Sequence, residues 1–158
     1  MTEKEKRELF AFEKENQKLL DAFYISRGHT VDRSQACKKF DCIIDGKLIE
    51  EKIRDGIKND ILIEMIQDII TFAPGWYFET GCDYLHYVFI ENKKIAKLYR
   101  INWQKFVDWY EGYLSKKIFG NYLISNKGWG ITLNLILDIS QIPQYLINVY
   151  NGDNSLED

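Results

Sequence analysis

The sequence predicts an α/β protein in which a mixed β-sheet is flanked by helices, and three observations lead to this fold class. A long segment of good helix formers opens the chain over residues 3–25. Runs of β-branched and aromatic residues follow it, joined by short polar turns. Apolar residues at helical spacing then return after residue 102. With 158 residues, 46% of them hydrophobic, we expect one domain over 1–150 and a disordered tail at 151–158.

The first element is a helix over residues 3–25, because Leu19, Leu20 and Phe23 share one face at helical spacing. Gly28 ends this unit, and a short strand is predicted near residues 30–31. A hairpin is expected next, over residues 39–54.

The centre of that hairpin is Asp45-Gly46, a pair typical of a type I′ turn, in which both central residues need a positive φ. This turn would place Asp41 directly opposite Glu50. Side chains alternate along a strand, so Asp41, Glu50 and Lys52 share one face and Glu51 points to the other. Facing carboxylates repel each other, and a divalent cation between them would offset that repulsion. The hairpin therefore predicts a metal site.

The remaining elements follow from the same patterns. Residues 60–67 fit a buried strand or a helix, and we favour the strand because isoleucine is dense there. Further strands are predicted at 76–78, 84–90, 95–101 and 131–137, the second and third forming another hairpin. A helix is predicted over 102–117 and a last short helix from residue 141. These would be the C-terminal helices of the fold.

The composition limits the classes of function. A net charge of −3 argues against a protein that coats nucleic acid with a broad basic surface. The three cysteines have no CxxC spacing, so we expect free thiols rather than a zinc site or a disulfide framework. No apolar run is long enough to span a bilayer and the N-terminus has no signal-peptide pattern, so we expect a cytoplasmic protein without a membrane partner.

Asp41, followed nine positions later by Glu50-Glu51-Lys52, resembles the motif of the PD-(D/E)xK phosphodiesterase superfamily. The resemblance implies a restriction-endonuclease-like core, in which the N-terminal helix precedes the hairpin that carries the site. It also implies that Asp41 and Glu50 bind Mg²⁺ (or Mn²⁺) and that Lys52 aids the attacking water. The chain departs from the motif in having Phe40, not proline, before the aspartate.

The resemblance implies further site residues. Many members add a glutamate from the first helix, for which Glu13 and Glu15 are candidates, and Glu13 lies nearer the apolar stripe. Gln67 resembles a catalytic glutamine that follows the motif, although an ordinary buried, hydrogen-bonded glutamine fits equally well. Glu64 would be a further metal ligand if residues 60–67 form a strand beside that of Glu50.

Three functions remain open at this point. The first is an Mg²⁺-dependent nuclease, a hydrolase of DNA phosphodiester bonds, for which a homodimer would allow cleavage of both strands. The second is a catalytically inactive nuclease-fold module that binds nucleic acid or a protein partner. The third is an unrelated α/β structural protein whose hairpin acids are incidental.

Overall fold

The computed structural model describes residues 2–114, 121–126 and 130–152. Three α-helices lie in this part of the chain: α1 (Glu3–Ser26), α2 (Trp76–Glu79) and α3 (Trp103–Leu114). The strands are β1 (Val31–Asp32), β2 (Cys42–Ile44), β3 (Lys47–Asp55), β4 (Asp60–Asp68), β5 (Ala73–Pro74), β6 (Tyr84–Glu91), β7 (Lys94–Asn102), β8 (Asn121–Asn126), β9 (Ile131–Asp138) and β10 (Ile147–Asn151). Two 3₁₀ turns, Ile139–Gln141 and Gln144–Leu146, connect β9 to β10.

The strands form two sheets. The first has six strands in the order β1-β2-β3-β6-β7-β10, and the second has four in the order β5-β4-β9-β8. The first sheet is mixed, because β3 and β6 are parallel whereas its other pairs are antiparallel. The α/β class with a mixed sheet is therefore confirmed, but β4 and β9 belong to a separate antiparallel sheet.

Local sequence explains the first elements. Thr2 caps α1 through a capping box with Glu5, and the chain turns beyond the helix at Gly28, which has a φ of 81°. The predicted reverse turn is confirmed: Asp45 and Gly46 have φ angles of 48° and 78°. The predicted register is confirmed as well, with Cys42 opposite Ile49.

The two faces of the first sheet bury different cores. On one face, Leu20 and Tyr24 of α1 pack with Ile49, Val88 and Leu98. We call this the helix face. The other face packs against the second sheet and α3, through residues such as Leu85, Phe89, Ile61, Leu135 and Phe106. We call this the intersheet face. Side chains of β3 alternate between the two faces, as those of any strand do.

Two predicted elements differ from the structure, and one strand is additional. Residues 76–78 lie in α2 rather than in a strand. Gly75 precedes that helix with no room for a side chain, because a Cβ there would overlap the carbonyl oxygen of Glu64. The short helix predicted from residue 141 is two 3₁₀ turns followed by β10. The strand β8 was not predicted.

The structure describes part of two further predicted segments, the helix over 102–117 and the tail at 151–158. The helix predicted over 102–117 is α3 as far as Leu114, and residues 115–120 lie outside the described part of the chain. Asn151, expected in the tail, ends β10, whereas residues 153–158 are not described. No helix in the described ranges combines the length and the apolar character that crossing a bilayer requires.

Candidate functional site

The hairpin brings together three of the predicted site residues. The backbone N–H of Asp41 donates to the carbonyl of Ile49 at 2.8 Å, which holds Asp41 against β3. One carboxylate oxygen of Asp41 accepts the backbone N–H of Glu51 at 2.7 Å. The ammonium of Lys52 donates to the carboxylate of Glu50 at 2.5 Å. Asp41, Glu50 and Lys52 therefore form one polar cluster, which we call the hairpin cluster.

Glu50 carries the most unfavourable charge of this cluster. Its side chain is 7% exposed, so burial raises the pKa of its carboxyl group. The ammonium of Lys52 opposes this shift, whereas the negative charge of Asp41 adds to it, and the pKa stays above the ordinary value. The carboxylate of Glu50 is therefore only partly compensated by its neighbours, and a further cation would stabilise it.

Trp76 and Cys82 lie beside the hairpin cluster. The ammonium of Lys52 lies 5.1 Å from the ring centroid of Trp76, in a cation–π arrangement. Cys82 is buried near Glu50, and burial raises the pKa of its thiol to about 11, with the charge of Glu50 acting in the same direction. The thiol is therefore protonated at neutral pH and is not a reactive nucleophile.

The other predicted residues lie on other elements of the fold. Glu13 is exposed on α1, which covers the helix face, whereas Glu50 and Lys52 project from the opposite face of β3. Residues 60–67 do form a strand, as predicted, but β4 pairs with β5 and β9 rather than with β3, so Glu64 is not on a strand beside that of Glu50. Gln67 is exposed, and its alternative as a buried glutamine is wrong.

Two carboxylates are thus what the hairpin offers to a metal. The described part of the chain holds no group of three His, Cys, Asp or Glu side chains suited to a metal ion. Mg²⁺ nevertheless commonly takes only one or two protein carboxylates and keeps several waters. Asp41 and Glu50 therefore match the donor type and number that Mg²⁺ uses.

Sequence reasoning missed a second polar cluster, on the helix face of β3. The guanidinium of Arg33 donates two hydrogen bonds to the carboxylate of Glu51, at 2.8 and 3.1 Å. Arg33 also donates to Asp21 at 2.9 Å. Burial acts to lower the pKa of Arg33, but the hydrogen bonds to both carboxylates outweigh it, so the pKa is raised. We call Asp21, Tyr24, Arg33, Glu51 and His86 the helix-face network.

Tyr24 links this network to His86. Its hydroxyl lies 3.0 Å from the carboxylate of Glu51 and 2.8 Å from Nδ1 of His86. The hydroxyl has one proton, and the carboxylate can only accept, so Tyr24 donates to Glu51 and accepts the Nδ1–H of His86. Burial, together with the neighbouring charge of Glu51, raises the pKa of Tyr24 and keeps it protonated.

One signal in the sequence could have indicated this network. Alternation along β3 sends Glu51 to the face that α1 covers, and a carboxylate on a buried face needs a partner. The sequence does not indicate which residue is that partner, because Arg33 lies in a loop 18 residues away from Glu51.

Comparison of the chain with protein-family models, with curated proteins and with solved structures gives no match.

Proposed function

We propose that this protein is an Mg²⁺-dependent nuclease that hydrolyses phosphodiester bonds of DNA, with a site of the PD-(D/E)xK type and a restriction-endonuclease-like core. The observation that carries the proposal is the hairpin cluster, in which a two-residue turn sets Asp41 beside the paired Glu50 and Lys52. The position of α1 before the hairpin is consistent with that core.

The fit of the cluster to a metal rests on Glu50. Its carboxylate is buried, its pKa is raised and Asp41 adds a second negative charge, so the site is short of positive charge. Asp41 and Glu50 would hold the ion, and a bound Mg²⁺ would supply charge stabilisation and a more acidic water. The site demands a hard cation with oxygen ligands rather than a zinc ion, which favours nitrogen and sulfur.

The residues of the chain have separate roles in this proposal. Asp41 is positioned by its hydrogen bond from the backbone of Glu51, which fixes one of its oxygens. Lys52 would leave Glu50 for the substrate, where its ammonium stabilises developing negative charge or orients the attacking water. Trp76 lies over the same ammonium and limits the directions in which Lys52 can move.

The proposal is tested by cleavage of supercoiled plasmid and branched DNA in Mg²⁺ or Mn²⁺. Asp41→Asn and Lys52→Met should each reduce cleavage by at least about 100-fold, because each removes a group that acts in the transition state. Asp55→Asn is the matched control, since Asp55 is an exposed carboxylate on the same strand. Equal activity in all four proteins would overturn the proposal. Sedimentation in the presence of DNA would test the proposed homodimer.

One observation favours a second candidate, a nuclease-fold module that binds DNA or a protein without cutting. Glu50 is buried, and the ammonium of Lys52 is already paired with it. For this candidate we expect retardation of DNA, weakened steeply by salt, without cleavage in any metal. Crystals soaked in Mn²⁺ separate the two, because an anomalous peak between Asp41 and Glu50 supports the enzyme.

A further inference from the structure

The second sheet ends in a strand with an open edge. β8 is the last strand in the order β5-β4-β9-β8, so it pairs with β9 on one side and with no strand of the described residues on the other. Its six residues, Asn121–Asn126, include no charged residue and no proline. Edge strands usually carry such residues, because the unpaired N–H and C=O groups of an edge otherwise pair with another strand. The edge of β8 is therefore open to pairing.

The side chains of β8 are exposed on both faces of the strand. Tyr122 lies opposite Leu135 and Ile124 opposite Leu133 in β9, so both belong to the intersheet face. Leu135 is buried in that core, whereas Tyr122 and Ile124 are 49% and 62% exposed. Leu123, on the other face of the strand, is 40% exposed. Three consecutive apolar side chains are thus available to a partner, two of them in continuation of a core layer.

The other sheet edges lack this combination. β5 has two residues and ends in Pro74, and β1 has two residues, one of which is Asp32. β10 carries no charge, but Val149 is its one exposed large hydrophobic residue, and the guanidinium of Arg27 donates to the carbonyl of Asn151 at 3.4 Å. Among the edges that the structure describes, β8 alone combines length, lack of charge and three exposed apolar side chains.

A second copy of the chain fits this edge by symmetry. A two-fold axis between two antiparallel strands is perpendicular to the sheet, so residues that pair across it lie on the same face. With the axis at Leu123, the two leucines pair with each other, and Tyr122 pairs with Ile124 of the partner subunit. Aromatic residues opposite β-branched ones are favourable cross-strand pairs. An axis at Ile124 would instead set Tyr122 opposite Asn126 and Leu123 opposite Ser125, which places apolar residues beside polar ones.

We propose that two copies of this chain pair antiparallel along β8, about a two-fold axis at Leu123, and so join two four-stranded sheets into one sheet of eight strands. The pairing uses few residues of each copy, so the dimer depends on protein concentration. It names the surface of the homodimer in the proposed function and extends that proposal, but dimerisation itself requires neither DNA nor cleavage. The two are distinguishable, because Asp41→Asn should dimerise like the original protein whether or not that protein cuts DNA.

Sedimentation velocity without DNA or metal, at protein concentrations from about 5 to about 500 μM, tests the dimer. Leu123→Lys sets two ammonium groups opposite each other and should raise the dissociation constant at least about tenfold. Val149→Lys is the matched control, since Val149 is 43% exposed on an edge strand of the other sheet, and it should leave the dimer unchanged. An equimolar mixture of Leu123→Lys and Leu123→Asp should restore the dimer, because opposite charges then meet. A monomer at every concentration, equal effects of the two lysine variants, or no rescue in the mixture would overturn the proposal.

A disulfide cross-link checks the register. Residues directly opposite each other in an antiparallel pair have Cα atoms about 4.5–5.5 Å apart, which a disulfide can span. In a background of Cys37→Ser, which removes the exposed native thiol, Leu123→Cys should form a covalent dimer under mild oxidation. Val149→Cys in the same background should stay monomeric. A cross-link through Ile124→Cys but not through Leu123→Cys would contradict the proposed axis.

Discussion

Glu50 and Glu51 are neighbours on one strand, yet they lie in opposite electrostatic environments. Glu51 accepts two hydrogen bonds from Arg33, a guanidinium that it shares with Asp21, and one from Tyr24. The carboxylate of Glu50 pairs with the ammonium of Lys52, and the negative charge of Asp41 makes the ionised form of Glu50 less favourable. The comparison teaches that a buried carboxylate with complete protein partners supports the fold, whereas one with incomplete partners is available to a ligand.

The largest expected effect follows from removing the cation that pairs with Glu51. Arg33→Met leaves the carboxylate of Glu51 buried without its cation and should lower the free energy of unfolding by about 3–5 kcal/mol. Urea denaturation monitored by circular dichroism measures this change. Lys52→Met is the matched control on the other face, and it should cost less, because Lys52 is 30% exposed and donates one hydrogen bond to Glu50, whereas Arg33 donates two to Glu51. Equal losses in the free energy of unfolding of the two variants would contradict the difference between Glu50 and Glu51.

A smaller loss is expected from Tyr24→Phe. The variant removes one hydrogen bond to Glu51 and leaves Nδ1 of His86 without its partner, which should cost about 1–3 kcal/mol. The ¹⁵N spectrum of His86 should also change, because the hydroxyl no longer fixes the ring with its proton on Nδ1. An unaltered tautomer in this variant would contradict the assigned direction of the hydrogen bonds.

Metal binding at Asp41 and Glu50 should stabilise the folded protein. Mn²⁺ or Mg²⁺ at about ten times its dissociation constant should add about 1.4 kcal/mol to the free energy of unfolding, since the ion binds the folded state. Thermal melts with and without metal measure the shift. Asp41→Asn should abolish it, whereas Asp55→Asn should retain it. A shift that persists in Asp41→Asn would place the ion elsewhere.

The smallest expected effect is a gain. The folded-state pKa of Glu50 lies above its unfolded value, so folding favours the protonated form. Its contribution to stability is therefore present at acid pH and is lost as the pH rises from the unfolded pKa through the folded pKa. In metal-free buffer at pH 7.5, Glu50→Gln should raise the free energy of unfolding by on the order of 1 kcal/mol. Denaturation from pH 4 to pH 8 checks this, and a loss of stability in the variant at pH 7.5 would contradict it.

The elements that could be predicted from the sequence are those determined by residues close to one another along the chain. The turn at Asp45-Gly46 was predicted because its backbone angles select those residue types, and α1 because its apolar stripe is continuous. The second sheet was not predicted, since the partner of β4 is β9, more than 60 residues later. The strand β10 was missed for the same reason, because it is stabilised by pairing with β7.

The same division applies to the two polar clusters. Asp41, Glu50 and Lys52 are joined by one turn, so their spacing in the sequence predicts their spacing in space. Gln67 was assigned to the site by the resemblance and Glu64 by an expected strand beside that of Glu50, and β4 lies in the other sheet. The helix-face network draws on α1, a loop, β3 and β6, which only the tertiary fold brings together.

The tight connection between β2 and β3 also decides which of the two adjacent glutamates is on which side. A slip of β3 by one residue in its pairing with β2 would turn every side chain of β3 to the opposite face. Glu51 would then stand beside Asp41, and Glu50 would enter the layer beneath the first helix. The pairing of β3 with β2 and β6 therefore decides which of the two identical side chains supports the fold and which adjoins Asp41.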